Sequence, residues 1–166
     1  YLEIIIHRRY STIMDFVITE TENIHDEYPQ KRDCFVKLQQ YLQSPSSRVY
    51  VVYGLRRTGK TVLLKQALLS LSQEQKKNAV FITCNYKTDF YNVIKYIKEK
   101  LDKGSRYFFI DEVTYANNFQ NLAEVLSDNF VANYNARIVL TKTDTLGLSL
   151  PTHANLYDRA KFIHTT

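Results

Sequence analysis

The eight residues from Gly54 to Thr61, GLRRTGKT, constrain the fold of this chain more than any other stretch. They match the G-x4-G-K-[ST] pattern of a phosphate-binding loop at every position. Glycines let such a loop curl tightly, so that consecutive backbone N–H groups point at one anion, and the helix that follows adds the positive end of its dipole. The chain has only four glycines, and two occupy the required positions. The pattern therefore predicts a strand, a loop and a helix in that order.

The side chains of this loop have predicted roles on a bound nucleotide. Lys60 would reach the β- and γ-phosphates, and the Thr61 hydroxyl would bind Mg²⁺. Arg56 and Arg57 either touch phosphate or point outward, where they add positive potential or contact another part of the protein. The residues that we expect to contact the nucleotide are Gly54, Arg57, Thr58, Gly59, Lys60, Thr61 and Val62.

The rest of the chain predicts alternating strands and helices. A β-branched and aromatic run at 48–53 enters the loop directly, as a buried strand does. Further strands are expected at 79–84, 106–111, 137–141 and 162–164, and helices at 60–74, 89–102 and 118–131. Such alternation produces right-handed βαβ units. The expected fold class is α/β, a three-layer α/β/α sandwich around a mainly parallel, five-stranded sheet of the P-loop NTPase type.

The amino-terminal part is expected to be a helical extension of this core. Apolar residues at 3–4 spacing predict a helix over 1–21, and the polar stretch 21–30 predicts a loop. The apolar residues Phe35, Leu38 and Leu42 predict a second helix over 31–43. We therefore divide the chain into an N-terminal helix and linker, 1–30, and a P-loop core, 31–166.

Two adjacent carboxylates, Asp111 and Glu112, follow the apolar run 107–110. A parallel strand would present them at its carboxyl end, where α/β sheets bind ligands. Neighbouring side chains on a strand point in different directions, so the two acids can have different roles. Asp111 would hold the Mg²⁺ shell, and Glu112 would act as general base on the attacking water. The separation from Lys60 accommodates a helix, a strand and a second helix, which makes this the third strand.

These motifs together resemble prokaryotic P-loop ATPases of the AAA+/STAND kind, in the branch with an additional strand and a catalytic glutamate. The resemblance lies in the G-x-R-R-x-G-K-T loop, the strand that ends in Asp111 and Glu112, and the strand Ile138–Thr141 followed by a leucine-rich turn and an arginine. It covers about residues 31–166 and implies ATP and Mg²⁺ as cofactors, with a homo-oligomer or a C-terminal domain as partner. Because the chain stops soon after the last predicted strand, we expect an ATPase core without its lid.

The resemblance also suggests further site residues. In this branch the strand 137–141 lies between the other two motif strands and presents a polar side chain to the γ-phosphate or the water. Thr141 or Thr143 is therefore a candidate catalytic residue, unless the strand simply runs into a polar loop. Arg159 would stabilise charge on the transferring phosphoryl group, or is a surface arginine. Tyr28–Pro29 and Arg32 lie where related folds pack adenine, or belong to a plain loop.

Bulk composition limits the partners only loosely. The 166 residues form one domain of ordinary size, and the net charge of +5 with a pI of about 9.1 is compatible with DNA or with a solvated basic face. The two cysteines, Cys34 and Cys84, have no metal-ligand spacing and favour a cytoplasmic protein. We expect no membrane partner, because no apolar run reaches the roughly 18 residues that a spanning helix needs.

Three functions follow from these residues. The leading hypothesis is Mg²⁺-dependent ATP hydrolysis that drives a conformational change in a larger protein. The alternative is a non-hydrolysing nucleotide-binding module for assembly, with or without DNA, which would not need Glu112. A small-molecule kinase is the third, although the chain offers no clear acceptor site. ATP is favoured over GTP because Thr141 replaces the asparagine of the guanine-reading N-K-x-D motif.

Overall fold

A six-stranded sheet with helices on both faces organises the residues that the computed structural model describes, which are 14–28, 30–46, 48–143 and 160–165. In chain order, the strands are β1 Val17–Thr19, β2 Val49–Gly54, β3 Ala79–Thr83, β4 Tyr107–Asp111, β5 Arg137–Thr143 and β6 Ala160–Thr165. Their order across the sheet is β1-β3-β4-β5-β2-β6. All neighbours are parallel except the edge strand β1, which is antiparallel to β3.

The helices fill the connections between these strands. They are α1 Asp33–Gln43, α2 Lys60–Leu69, α3 Gln73–Lys77, α4 Phe90–Asp102, α5 Phe119–Val125 with a π-helical continuation Leu126–Val131, and α6 Ala132–Tyr134. Two single 3₁₀ turns lie at Thr21–Asn23 and Val113–Tyr115. Within the described ranges, no helix combines the length and the apolar character that a membrane span requires. The α/β class and the mainly parallel sheet are confirmed.

The amino-terminal segment differs from the prediction. A helix was expected over 1–21, but Val17–Thr19 is a strand, and it adds a sixth strand to the five expected. The residues Val-Ile-Thr are all β-branched and therefore favour an extended backbone over a helix. Val17 pairs with Thr83 and Thr19 with Phe81, so the strand covers the edge of β3. Residues 1–13 of the expected helix lie outside the described residues.

The helix predicted at 60–74 is also two helices in the structure. α2 ends at Leu69, and α3 begins after Ser72. The Ser72 hydroxyl accepts the Gln75 N–H at 3.2 Å, and the Gln75 side chain accepts the Ser72 N–H at 3.0 Å. This reciprocal capping box starts a new helix close to the expected end of the first one.

Alternation along the central strands divides the core between the two faces of the sheet. On β4, Phe108 and Ile110 pack with residues of α4 and α5, whereas Phe109 packs with residues of α1 and α2. All three side chains are fully buried. Each such side chain contributes roughly 1.5–3 kcal/mol relative to an exposed one. The two apolar faces therefore fix a three-layer arrangement and hold β4 in the middle of the sheet.

A buried hydroxyl connects α1 to the sheet. The Tyr41 hydroxyl donates to the carbonyl oxygen of Arg48 at 2.5 Å and accepts the Ile138 N–H at 3.2 Å. Burial raises the pKa of Tyr41 to about 12, so the hydroxyl stays protonated and can donate. The neighbouring ring of Tyr50 lies 5.1 Å from that of Tyr41, but its hydroxyl donates no hydrogen bond to any described residue.

We expect Tyr41→Phe to destabilise the protein and Tyr50→Phe to have little effect. The first change leaves the buried Ile138 N–H without its acceptor, at a cost of about 1–3 kcal/mol. The second change removes the hydroxyl of Tyr50, which has no hydrogen-bond partner among the described residues. Urea unfolding of both variants measures the difference, and equal loss of stability in the two would contradict this role of Tyr41.

Candidate functional site

Three neighbouring strands bring the two sequence motifs to one edge of the sheet. β5 lies between β2, which leads into the phosphate loop, and β4, which ends in the acids. Gly54 of β2 pairs with Thr143 of β5, and Ile110 of β4 pairs with Leu140 of β5. Because all three strands are parallel, their carboxyl ends meet at the same place. This confirms the predicted position of β5 between the two motif strands.

The backbone of the loop has the tight curvature that its sequence predicts. Gly59 precedes α2 with a φ of 83°, in the left-handed region that glycine adopts without strain. Gly54 is needed for space, because a Cβ there would lie 2.6 Å from the carbonyl oxygen of Thr165. The Thr58 hydroxyl donates to the Leu55 carbonyl at 2.8 Å and lies 2.8 Å from the Thr165 hydroxyl. The loop is therefore packed against the end of β6.

Lys60 is folded into the loop. Its Nζ donates to the carbonyl oxygens of Gly54 at 3.0 Å and of Leu55 at 2.5 Å, and the side chain is only 5% exposed. The ammonium group therefore lies inside the curve of the loop, where a bound anion would also lie. Of the other loop residues expected to contact nucleotide, Arg57 is exposed with a φ of 64°, and Val62 is partly buried on the first turn of α2.

A hydrogen bond joins the two motifs. The Thr61 hydroxyl donates to one carboxylate oxygen of Asp111 at 2.8 Å. The Thr141 hydroxyl donates to the other oxygen in a short hydrogen bond, and Thr141 is fully buried. The two residues expected at a metal ion are thus within contact distance, although 50 positions separate them. Thr141 or Thr143 was expected to face the γ-phosphate or the attacking water, and in the structure the Thr141 hydroxyl donates to Asp111.

Glu112 is held by its backbone and by two threonines. Its φ is 62°, in the left-handed region that non-glycine residues adopt uncommonly. Its N–H donates to the Thr141 hydroxyl at 2.8 Å, and the Thr143 hydroxyl donates to its carboxylate at 3.4 Å. Partial burial, and secondly the negative charge of Asp111, raise the pKa of Glu112 above its usual range. Such a carboxylate is a stronger base than an exposed glutamate.

Several residues near the site carried no signal in the sequence. Thr114 accepts the Thr143 N–H at 2.7 Å and so fixes the end of β5 beside Glu112. Tyr115 accepts a hydrogen bond from Arg56 of the loop at 3.3 Å. This contact fits one of the two alternatives for Arg56, contact with another part of the protein. Arg159 lies outside the described residues, so its role stays a prediction.

The raised pKa of Glu112 predicts how the stability of the protein depends on pH. The folded state binds a proton at this carboxyl more readily than the unfolded chain, so the charged form destabilises the fold once the pH exceeds the unfolded pKa. Glu112→Gln removes that charge. We expect the variant to melt at a higher temperature than the wild type at about pH 8, and the difference to shrink at about pH 4, because the carboxyl of the wild type gains its proton as the pH falls.

Melting curves of both proteins at the two pH values measure this effect. Glu124→Gln serves as a control, because Glu124 is an exposed glutamate on α5. If Glu112→Gln raises the melting temperature equally at both pH values, the charge of Glu112 is not the cause of the change in stability.

Comparison with solved structures finds the same fold in several proteins. The S. cerevisiae Hsp104–ADP complex superposes with a TM-score of 0.60 at 11% identity, over 92% of this chain and 24% of the Hsp104 chain. C. elegans PCH-2 gives a TM-score of 0.58 at 15% identity, over 91% of this chain and 47% of that one. The DnaC helicase loader gives 0.54 at 14% identity, over 88% of this chain and 98% of that one.

These identities are low, so the superpositions establish the fold alone. The chain spans about a quarter of the Hsp104 chain and about half of PCH-2. No curated protein matches the sequence at a significant level. The family model of the AAA domain matches residues 46–166, which contain the phosphate loop, both acids and β5. Because the match covers well over half of the chain, this protein belongs to the AAA domain family.

Proposed function

We propose that this protein binds ATP with Mg²⁺ and hydrolyses it, and that hydrolysis drives a conformational change in a larger protein. The observation that carries the proposal is the hydrogen bond of 2.8 Å between Thr61 and Asp111. It brings a hydroxyl from the phosphate loop and a carboxylate from another strand to one point. Membership of the AAA domain family supports nucleotide binding, and so does the similarity of fold to Hsp104 in its ADP complex.

The residues present fit a nucleotide and its metal ion. The loop ends at the amino terminus of α2, whose first N–H groups lack partners within the helix and favour an anion. Thr61 and Asp111 would hold Mg²⁺, which keeps several waters and takes its other ligands from phosphates. Accordingly, the described part of the chain contains no cluster of three His, Cys, Asp or Glu side chains that could enclose a metal ion. When bound, Mg²⁺ supplies positive charge to the phosphate oxygens.

The chain's own residues then have distinct tasks. Lys60 exchanges its hydrogen bonds with the Gly54 and Leu55 carbonyls for bonds to phosphate oxygens. Glu112 accepts a proton from the attacking water, and its raised pKa makes it a better base. Thr141 orients both acids through its hydrogen bonds to Asp111 and to the Glu112 N–H. Arg159 stabilises negative charge on the transferring phosphoryl group, in its own subunit or in a neighbour.

The partners follow from this assignment as further proposals. The larger protein supplies either neighbouring subunits or a C-terminal domain that responds to the nucleotide. The net charge of +5 is compatible with DNA, and such binding would weaken as the salt concentration rises. The cytoplasm is the proposed location, since the free thiols Cys34 and Cys84 suit a reducing compartment.

Two substitutions separate binding from hydrolysis. We expect Lys60→Ala to lose most of its affinity for Mg-ATP in titration calorimetry, because the loop then lacks its phosphate-binding cation. We expect Glu112→Gln to bind Mg-ATP about as tightly as the wild type but to release phosphate roughly 10²–10⁴-fold more slowly, because the general base is gone. Tyr50→Phe, which alters a residue on a buried face of the sheet, is the control.

Each outcome decides a different part of the proposal. If Lys60→Ala binds ATP as the wild type does, the loop is not the nucleotide site. If the wild type binds ATP and Glu112→Gln hydrolyses it at an unchanged rate, Glu112 is not the general base. A wild type that binds ATP through Lys60 but shows no turnover would favour the non-hydrolysing module.

A further inference from the structure

An arginine from outside the loop motif lies against the phosphate loop. Nη2 of Arg32 lies 3.2 Å from the point that a Cβ on Gly59 would occupy, and its Cζ lies 3.4 Å from the same point. The guanidinium group therefore lies beside Gly59, which has no side chain to keep it away. Arg32 immediately precedes α1, so it comes from a different segment of the chain.

A buried glutamine holds this segment in place. Gln66 of α2 is only 3% exposed, and its side-chain amide donates to the carbonyl oxygens of Tyr28 at 2.6 Å and of Gln30 at 3.1 Å. Lys31 forms an ion pair of 2.5 Å with Asp26 within the same segment. The segment is thus fixed to the helix that begins at the phosphate loop. The position of Arg32 beside Gly59 follows from this attachment.

The guanidinium group of Arg32 has no anionic partner in the described part of the chain. Among those residues it forms neither an ion pair nor a side-chain hydrogen bond. Lys31, one position earlier, is paired with Asp26. A guanidinium group has five N–H donors in a planar fork that fits phosphate oxygens well. An unpaired cation of this kind, held against a phosphate loop, is suited to an anion bound in that loop.

The space beside Arg32 is open. A cleft of about 580 Å³ runs from the end of β6 along the start of α1, and it is lined by Arg32, Asp33, Cys34, Lys37, Ile163, His164 and Thr165. Thr165 also contacts Thr58 of the loop, so the cleft begins at the flank of the loop. Arg32 therefore lies between the phosphate loop and an open cleft.

We propose that Arg32 is a second phosphate-binding cation of this site, acting beside Lys60 and supplied by the segment that precedes α1. This assignment rests on the proposed function, because it needs a nucleotide in the loop. It differs from both expectations for Arg32, packing near the adenine or belonging to a plain loop, since the guanidinium lies beside Gly59 of the phosphate loop. It also makes nucleotide affinity depend on the attachment of this segment through Gln66.

The test compares Arg32→Gln and Arg32→Lys with Arg48→Gln. Arg48 is an exposed arginine that immediately precedes β2, so it lies at the opposite end of that strand from the loop. We expect Arg32→Gln to weaken Mg-ATP binding by about tenfold or more, since hydrogen bonds to charged groups are lost. Arg32→Lys keeps the positive charge but lacks the planar fork of N–H donors. Its affinity for Mg-ATP should therefore lie between that of the wild type and that of Arg32→Gln. Arg48→Gln should bind as the wild type does.

Inorganic triphosphate distinguishes a phosphate contact from a base contact. Its affinity is measured by displacement of a fluorescent ATP analogue from the wild type and from Arg32→Gln. If Arg32→Gln loses affinity for ATP and for triphosphate by the same factor, Arg32 contacts phosphate. If the variant loses affinity for ATP alone, the proposal is overturned in favour of a contact with the base. Melting curves without nucleotide should coincide for the wild type and the two Arg32 variants, because Arg32 makes no ion pair with any described residue.

Two further results keep this proposal separate from the proposed function. Wild-type affinity in Arg32→Gln, together with lost binding in Lys60→Ala, overturns the role of Arg32 alone. Unchanged binding in Lys60→Ala overturns the phosphate loop itself. Gln66→Leu tests the attachment, and we expect it to weaken binding in the wild type but to add little to Arg32→Gln.

Discussion

The hydrogen bond between Thr61 and Asp111 is the interaction on which the proposed site depends. It forms because β5 lies between β2 and β4 and aligns their carboxyl ends. That order is fixed in turn by apolar side chains on both faces of the sheet, such as Phe108 and Phe109, which leave the strands no exposed face. Core packing therefore sets the distance between a hydroxyl and a carboxylate that are far apart in the sequence. The proposed Mg²⁺ site requires these two groups to lie this close together.

Threonine hydroxyls make most of the connections around the site. Thr58 contacts Thr165, Thr61 and Thr141 contact Asp111, and Thr143 contacts Glu112. Thr141, Thr143 and Thr165 lie at the ends of strands. Threonine suits that position because its β-branched side chain favours an extended backbone while its hydroxyl can donate a hydrogen bond. These hydrogen bonds also satisfy Asp111 and Glu112, which partly offsets the cost of burying adjacent negative charges. The result is a pair of acids held in place before any ligand binds.

The sequence predicted the central sheet well because its signals are local. The loop pattern, the apolar run before Asp111 and the alternation of strands and helices each depend on neighbouring residues. The edge strand Val17–Thr19 was missed because its pairing with β3 is a long-range contact, and apolar spacing over 1–21 suggested a helix. Arg32 was not assigned to the phosphates for the same reason, since α1 and β2 lie between it and Gly59 in the sequence. The contacts of Gln66 with Tyr28 and Gln30 were missed because they span the same elements. The roles of the site residues stay predictions, although the structure brings most of them together.

The most direct test of the account is the effect of Mg²⁺ on ATP affinity in a double-mutant cycle of Thr61→Val and Asp111→Asn. Titration calorimetry with and without Mg²⁺ gives the gain in affinity that the metal ion provides in each protein. If both residues hold the ion, the wild type gains affinity, each single variant loses most of that gain, and the double variant loses no more than either. A gain that persists in both single variants would contradict the claim that these two residues form one metal–nucleotide site.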